Sequence, residues 1–178
     1  ESRDTRVPRV ESVRGSGSDQ PRFENGYVVL CPPLRWSVAV PAMQVTVADI
    51  EDARDRLDDE SVVRETPIET NRSLSAEVDA DVRLKMEHLQ RTGSFKTRGA
   101  YNKLTQVVAS DSDATRALAA SAGNHAQGVA LAATKVGLDA TIVMPKDAPQ
   151  AKIDATEGYG AEVVLHGEDF QAAMRHAK

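Results

Sequence analysis

The sequence predicts an α/β fold in which a parallel sheet carries helices on both faces. Three observations predict it. From about residue 80 onward, short apolar runs alternate with longer segments whose apolar residues recur at helical spacing. Gly137, Pro145, Gly158, Gly160 and Gly167 punctuate these segments at their ends rather than in their interiors. The intervening helices are long enough to act as crossovers, which brings successive strands back in the same direction.

A chain of 178 residues with 40% hydrophobic and 28% charged residues is large enough to bury a sizeable core. Its net charge of −5 argues against nucleic acid or an anionic membrane as the main partner. The single cysteine, Cys31, excludes an internal disulfide and points to a cytoplasmic setting. The apolar runs "YVVLCPPL" and "GVALAATKVGL" are too short or too interrupted to span a bilayer.

Residues 1–42 stand apart. They hold five of the eight prolines, six arginines and no lysine, and neither a helical nor a strand period persists through them. They are expected to form an irregular extension, either a natural one or upstream sequence that precedes the functional protein at Met43. Regular structure is expected from "TVADIEDARDRLDDE", where Thr46 and Asp49 form a capping box and Ile50, Ala53 and Leu57 share one helical face.

After Pro67 a polar cluster reads as loop, and Val82, Leu84 and Met86 alternate as in a half-buried strand. "TRGAYNKLTQVV" then places Ala100, Leu104, Val107 and Val108 at helical spacing, so Lys96 is expected at a strand-to-helix junction. Next come a strand "RALAAS", a loop at "AGN", and a helix "HAQGVALAATKV" that stops at Gly137. A strand "DATIVM", a helix from Pro149, a strand "AEVVLH" and a final helix "EDFQAAMRHAK" complete the order, the last helix without a cap.

Open parallel sheets bind ligands where strand ends lead into helix N-termini. Two segments are expected there. "SAGNHAQG", residues 121–128, reads as an anion cradle, since small residues admit a close approach, Gly123 is free to adopt positive φ, and the next helix offers unpaired N–H groups. Spacing alone favours the simpler reading, a plain strand-to-helix turn with Asn124 as its cap. It is no dinucleotide fingerprint, because G-x-G-x-x-G is absent. In "GSFK", Lys96 sits beside the Phe95 ring at a helix start, a setting whose partial desolvation favours a neutral amine able to condense with an aldehyde. Composition and spacing reach a candidate Schiff-base lysine and a candidate carboxylate cradle. His88, His166 and His176 lack metal-ligand spacing.

"SFKTRGA", "SAGNHAQGVA" and "TIVMPKDAPQAKIDATEGYGAEVVLHG" together closely resemble the threonine ammonia-lyases (threonine dehydratases) among the fold type II, tryptophan synthase beta-like, pyridoxal phosphate enzymes. The likeness runs from about Val47 to Lys178 and includes Thr66 and Pro67, while residues 1–42 lie outside it as an unrelated leader. It implies that residues 43–115 belong to the large cofactor domain and 116–178 to a small α/β domain, both incomplete.

It implies further that Lys96 carries pyridoxal 5′-phosphate, Phe95 packs on the cofactor ring and Asn124 hydrogen-bonds the ring 3′-oxygen. Ser121, Gly123 and His125 would hold the substrate carboxylate, largely through backbone N–H groups. The implied reaction turns L-threonine into 2-oxobutanoate and ammonia, and L-serine into pyruvate, with no metal, in a cytoplasmic homo-oligomer serving amino-acid metabolism such as isoleucine biosynthesis. The released Lys96 amine would take the Cα proton before the β-hydroxyl leaves.

The family's glycine-rich phosphate loop and its partner to the pyridine nitrogen are not among this chain's motifs. Serine racemases, which share both main motifs, carry Ser where this chain has Ala122; cysteine synthases and threonine synthases differ at the loop and after the lysine. The alternatives to a lyase are therefore a serine racemase or serine dehydratase of the same family, or an inactive fragment that binds no cofactor.

Overall fold

A computed structural model describes residues 45–110 and 113–177, together with the backbone of residues 27–29. The expected irregular extension, Cys31 included, otherwise lies outside the described residues. Inside that stretch β1 (Tyr27–Val29) pairs in parallel with a strand of the main sheet, Val28 opposite Ala117. Three residues are too few for a period to be read from sequence.

The first helix, α1 (Val47–Arg56), begins where the capping box predicts. The Asp49 N–H donates to the Thr46 hydroxyl at 3.2 Å, and the Thr46 N–H donates to the Asp49 carboxylate at 2.8 Å. The Thr46 hydroxyl also donates to the Asp49 carboxylate at 2.6 Å, and this bond first, then that of the Thr46 N–H, holds the Asp49 carboxyl below its usual range. The apolar face is only partly covered: Ile50 remains 60% exposed, while Ala53 and Leu57 are half-buried and Leu57 packs on Val62, Val63 and Leu131.

The segment expected as loop and then half-buried strand folds differently. β2 (Ile68–Thr70) and β3 (Arg83–Lys85) form an antiparallel pair outside the main sheet, Ile68 opposite Lys85, with α2 (Arg72–Val78) between them. All residues of both strands are exposed, Leu84 at 37%, while Val82 and Met86 on either side of β3 are half-buried, so the expected alternation holds at the flanks of the strand and not within it. Helix α2 is capped by Asn71, whose side chain accepts the Leu74 N–H at 2.9 Å.

A 3₁₀ turn, Glu87–Leu89, and a further turn lead into α3 (Lys96–Ala109). Lys96 therefore does not follow directly on a strand, and β3 is not part of the parallel sheet. Beyond α3 the expected alternation holds: β4 (Arg116–Ala120), α4 (Asn124–Val136), β5 (Asp139–Met144), α5 (Gln150–Glu157), β6 (Ala161–Leu165) and α6 (Phe170–His176). Pro149 is the cap before α5 rather than its first helical residue, with extended ψ of 131°. Ala177 closes α6, and Lys178 lies outside the described residues.

The sheet order is β1-β4-β5-β6, all neighbours parallel. Because β4, β5 and β6 succeed one another in one direction, the crossover helices α4 and α5 fall on one face. Ala117, Ala119, Ala140, Ile142 and Met144 point to that face and pack with Leu104, Val129 and Ile153. The alternate residues Ala120 and Val143 point the other way, onto Ala173 and Met174 of α6. The two-residue side-chain period of a strand thus supplies both faces of a covered parallel sheet.

Candidate active site

Lys96 is the first residue of α3, and the turn that delivers it is built from its own neighbours. Gly93 adopts φ of +69°, a conformation costly for any residue with a Cβ. The Thr92 and Thr97 hydroxyls meet at 2.7 Å, both buried, and clamp the turn from below. The Lys96 N–H donates to the Ser94 hydroxyl at 3.4 Å. Above the clamp, the Lys96 Nζ stands 5.0 Å from the centroid of the Phe95 ring. Both side chains are exposed, Phe95 at 58%, so the partial desolvation expected of Lys96 is not seen.

The loop of residues 121–125 leaves the carboxyl end of β4. Its Ser121 N–H extends the sheet ladder to the Val143 carbonyl at 3.1 Å, and the Gly123 N–H donates to the Ser121 hydroxyl oxygen at 3.2 Å. That acceptance directs the Ser121 O–H proton elsewhere, so this hydroxyl remains a donor. Gly123 caps α4 with φ of −132°, without using the positive φ open to it, and no side chain caps that helix. Asn124 is accordingly not a cap but the first helical residue. Its exposed amide oxygen accepts from the Lys152 ammonium of α5 at 3.4 Å. Ser121, Gly123 and His125 are half-buried.

Lys96 and this loop are brought together by Gly128, one turn into α4. A Cβ built there would lie 3.0 Å from the Lys96 carbonyl carbon, 3.1 Å from the Thr97 nitrogen and 3.2 Å from the Lys96 carbonyl oxygen. The backbones of α3 and α4 thus touch at the residue that bears the amine. Leu104, Ala126 and Val129 continue the same buried interface.

A second knot holds the outer side of α3. Arg98 donates to Glu87 with both arms of its fork, each at 2.9 Å, and Glu87 also accepts from the Thr66 hydroxyl. The Lys85 ammonium donates to the Thr66 carbonyl. The Arg98 hydrogen bonds, with that of Thr66, hold the Glu87 carboxyl below its usual range against partial burial. A cavity of about 570 Å³ borders this knot, lined by Ile50, Leu57, Arg64, Lys85 and Arg98 among others; none of Lys96, Phe95 or residues 121–125 lines it.

The sequence reading assigned no part to Gly128, Lys152, Glu87 or Arg98. Gly128 and Lys152 lie within the motifs quoted above, yet their partners are 32 and 28 residues away and leave no local pattern.

A lysine at the start of α3, its backbone packed against α4, and the small-residue N-terminus of α4 have the chemistry that suits an anionic ligand with an electrophilic carbon. Residues 60–178 match the family model described as pyridoxal-phosphate dependent enzyme, and the chain belongs to that family. It is 49% identical over 127 residues to the catabolic L-threonine dehydratase of Staphylococcus aureus, covering 71% of this chain and 36% of that protein. Among solved structures it is similar to the processed form of threonine deaminase isoform 2 from Solanum lycopersicum, with a TM-score of 0.60, 41% identity, and 71% of this chain covered against 36% of that one. It is also similar to a pyridoxal 5′-phosphate-dependent aspartate racemase, with a TM-score of 0.68, 35% identity, and coverage of 78% and 43%. The architecture is that of the fold type II members. The chain spans about a third of the length of the curated relatives it matches. Among the described residues no three His, Cys, Asp or Glu side chains gather as for a metal, and no helix is long and apolar enough to cross a membrane.

The residues present fit the family's cofactor by their chemistry. An exposed primary amine suits an aldehyde, the exposed face of Phe95 suits a planar ring, and the amide of Asn124 suits a ring oxygen.

Proposed function

We propose that the protein carrying this chain deaminates L-threonine to 2-oxobutanoate and ammonia, and L-serine to pyruvate. The observation that carries the proposal is the close approach of Gly128, one turn into α4 from the small-residue loop, to the backbone of Lys96. The dehydratase and deaminase relatives support the choice of reaction.

Bound pyridoxal phosphate supplies an electron sink for a carbanion at the substrate Cα. Lys96 would hold it through Nζ, and the free amine of Lys96 would take the substrate Cα proton at the same atom. Phe95 would pack against the cofactor ring, and Asn124 would hydrogen-bond its oxygen. Ser121 turns its hydroxyl proton toward the substrate carboxylate, and Gly123 and His125 flank it at the positive end of α4.

Ala122 favours the lyase over a racemase. Racemisation requires a proton donor on the face opposite Lys96, and an alanine side chain has none to give. The Staphylococcus relative is catabolic by name, but the same reaction serves a biosynthetic route, and isoleucine biosynthesis is kept within the proposal. Residues 43–115 belong to the large domain and 116–178 to the small one of this proposed enzyme, a cytoplasmic homo-oligomer that acts on free amino acids.

Reduction with borohydride in the presence of pyridoxal phosphate, followed by peptide mass mapping, should place the label on Lys96. Label on Lys85 or Lys103 in its stead refutes the assignment. Product analysis should then find oxo acids from both substrates with almost no D-serine. D-serine at levels comparable to pyruvate refutes the lyase reading.

A further inference from the structure

We infer that Lys152 is a positioning residue that fixes which end of the Asn124 amide faces the ligand; the inference rests on the function proposed above. The Asn124 side chain is not spent on capping α4, because Gly123 holds the cap position and no side-chain cap is made. Its amide oxygen instead accepts from the Lys152 Nζ at 3.4 Å.

A lysine ammonium has three donors and no acceptor, so only the oxygen end of an amide can face it. The NH₂ end is thereby turned away from α5. Asn124 presents a donor to the site, and the group it recognises is an acceptor, a part that an ionised ring oxygen fills more strongly than a hydroxyl. The Lys152 charge acts in the same sense, since a cation next to the amide favours the negative form of an oxygen bonded to it.

The place of Lys152 is itself determined by packing. On the same helix Ile153 and Thr156 are buried, and the Thr156 hydroxyl donates to the Lys152 carbonyl at 2.7 Å. The burial of Ile153 and Thr156 anchors α5 and leaves Lys152 half-exposed at the end facing α4. An amide without such a neighbour would rotate between two hydrogen-bonding orientations and present a carbonyl oxygen part of the time.

The test uses the protein expressed from the whole reading frame that contains these residues, with pyridoxal phosphate as the probe. Lys152→Met removes the donor and the charge, and Lys152→Arg keeps both. Lys152→Met should raise the apparent Kd for pyridoxal phosphate roughly three- to tenfold, the effect of one lost hydrogen bond. The absorbance of the bound cofactor should shift from the form with an ionised ring oxygen toward the neutral form, and its pH titration should move to higher pH. Lys152→Arg should restore both, and thermal unfolding without cofactor should be the same in all three proteins.

Borohydride trapping in each variant separates this inference from the reading beneath it. Label on Lys96 throughout, with unchanged spectra and Kd in Lys152→Met, overturns the role of Lys152 alone. Absence of label from Lys96 in the parent overturns the functional reading and the inference together.

Discussion

Replacing Gly128 by alanine puts one methyl group where α3 and α4 meet. The added Cβ would lie 3.0 to 3.2 Å from three backbone atoms of Lys96 and Thr97. Comfortable carbon contacts are about 3.5 to 4.0 Å, so the helices must part by roughly 0.5 Å. The atoms in the way are main chain inside a helix and cannot rotate aside. Overpacking of this kind costs about 1 to 3 kcal/mol, against a gain of about 1 kcal/mol for removing glycine from a helix interior. The net expectation is a loss of about 1 kcal/mol, which for a chain of this size lowers the melting temperature by roughly 2 to 4 °C.

Gly99 on α3 supplies the control. A Cβ there would meet nothing within 4 Å, and its φ is ordinary. Gly99→Ala should therefore show only the propensity gain, a rise of roughly 2 to 4 °C. Thermal unfolding followed by circular dichroism measures both variants side by side. If Gly128→Ala melts as high as Gly99→Ala, the close approach that sets Lys96 against the loop is not real, and the geometric argument for the site goes with it.

Glu87 gives a pH dependence with a definite sign. Its carboxyl is held low in the folded protein, chiefly by the Arg98 fork and then by the Thr66 hydroxyl, so its contribution is full above about pH 4.3, the ordinary glutamate value, and is lost as pH falls through the lower folded value. Glu87→Gln should be less stable by roughly 1 to 3 kcal/mol near neutrality, with its acid-unfolding curve converging on the parent's below about pH 4; curves that stay parallel contradict the ion pair. Thr97→Val strands the buried Thr92 hydroxyl and should cost about 1 to 3 kcal/mol, with Thr97→Ser recovering most of it in urea unfolding. Equal stability of the valine and serine variants would show that the hydroxyl pair does not hold the turn.

The sequence by itself determined the parallel half of the molecule. Strands such as "DATIVM" and helices such as "HAQGVALAATKV" are legible because their side-chain periods and the breakers at their ends are local properties of the chain. The Thr46 and Asp49 capping box was legible for the same reason, its partners being three residues apart. The lysine and the loop that mark the candidate site could likewise be singled out from residue types in order. Tertiary structure alone decided the pairing of Ile68–Thr70 with Arg83–Lys85, for strands of three exposed residues carry no period. It alone joined Thr66, Glu87 and Arg98, turned Asn124 toward Lys152, and set Gly128 against the Lys96 backbone. Those partners are separated by long stretches of chain, and a hydrogen bond or a close backbone approach across such a distance depends on how whole helices pack, which no local pattern of residues encodes.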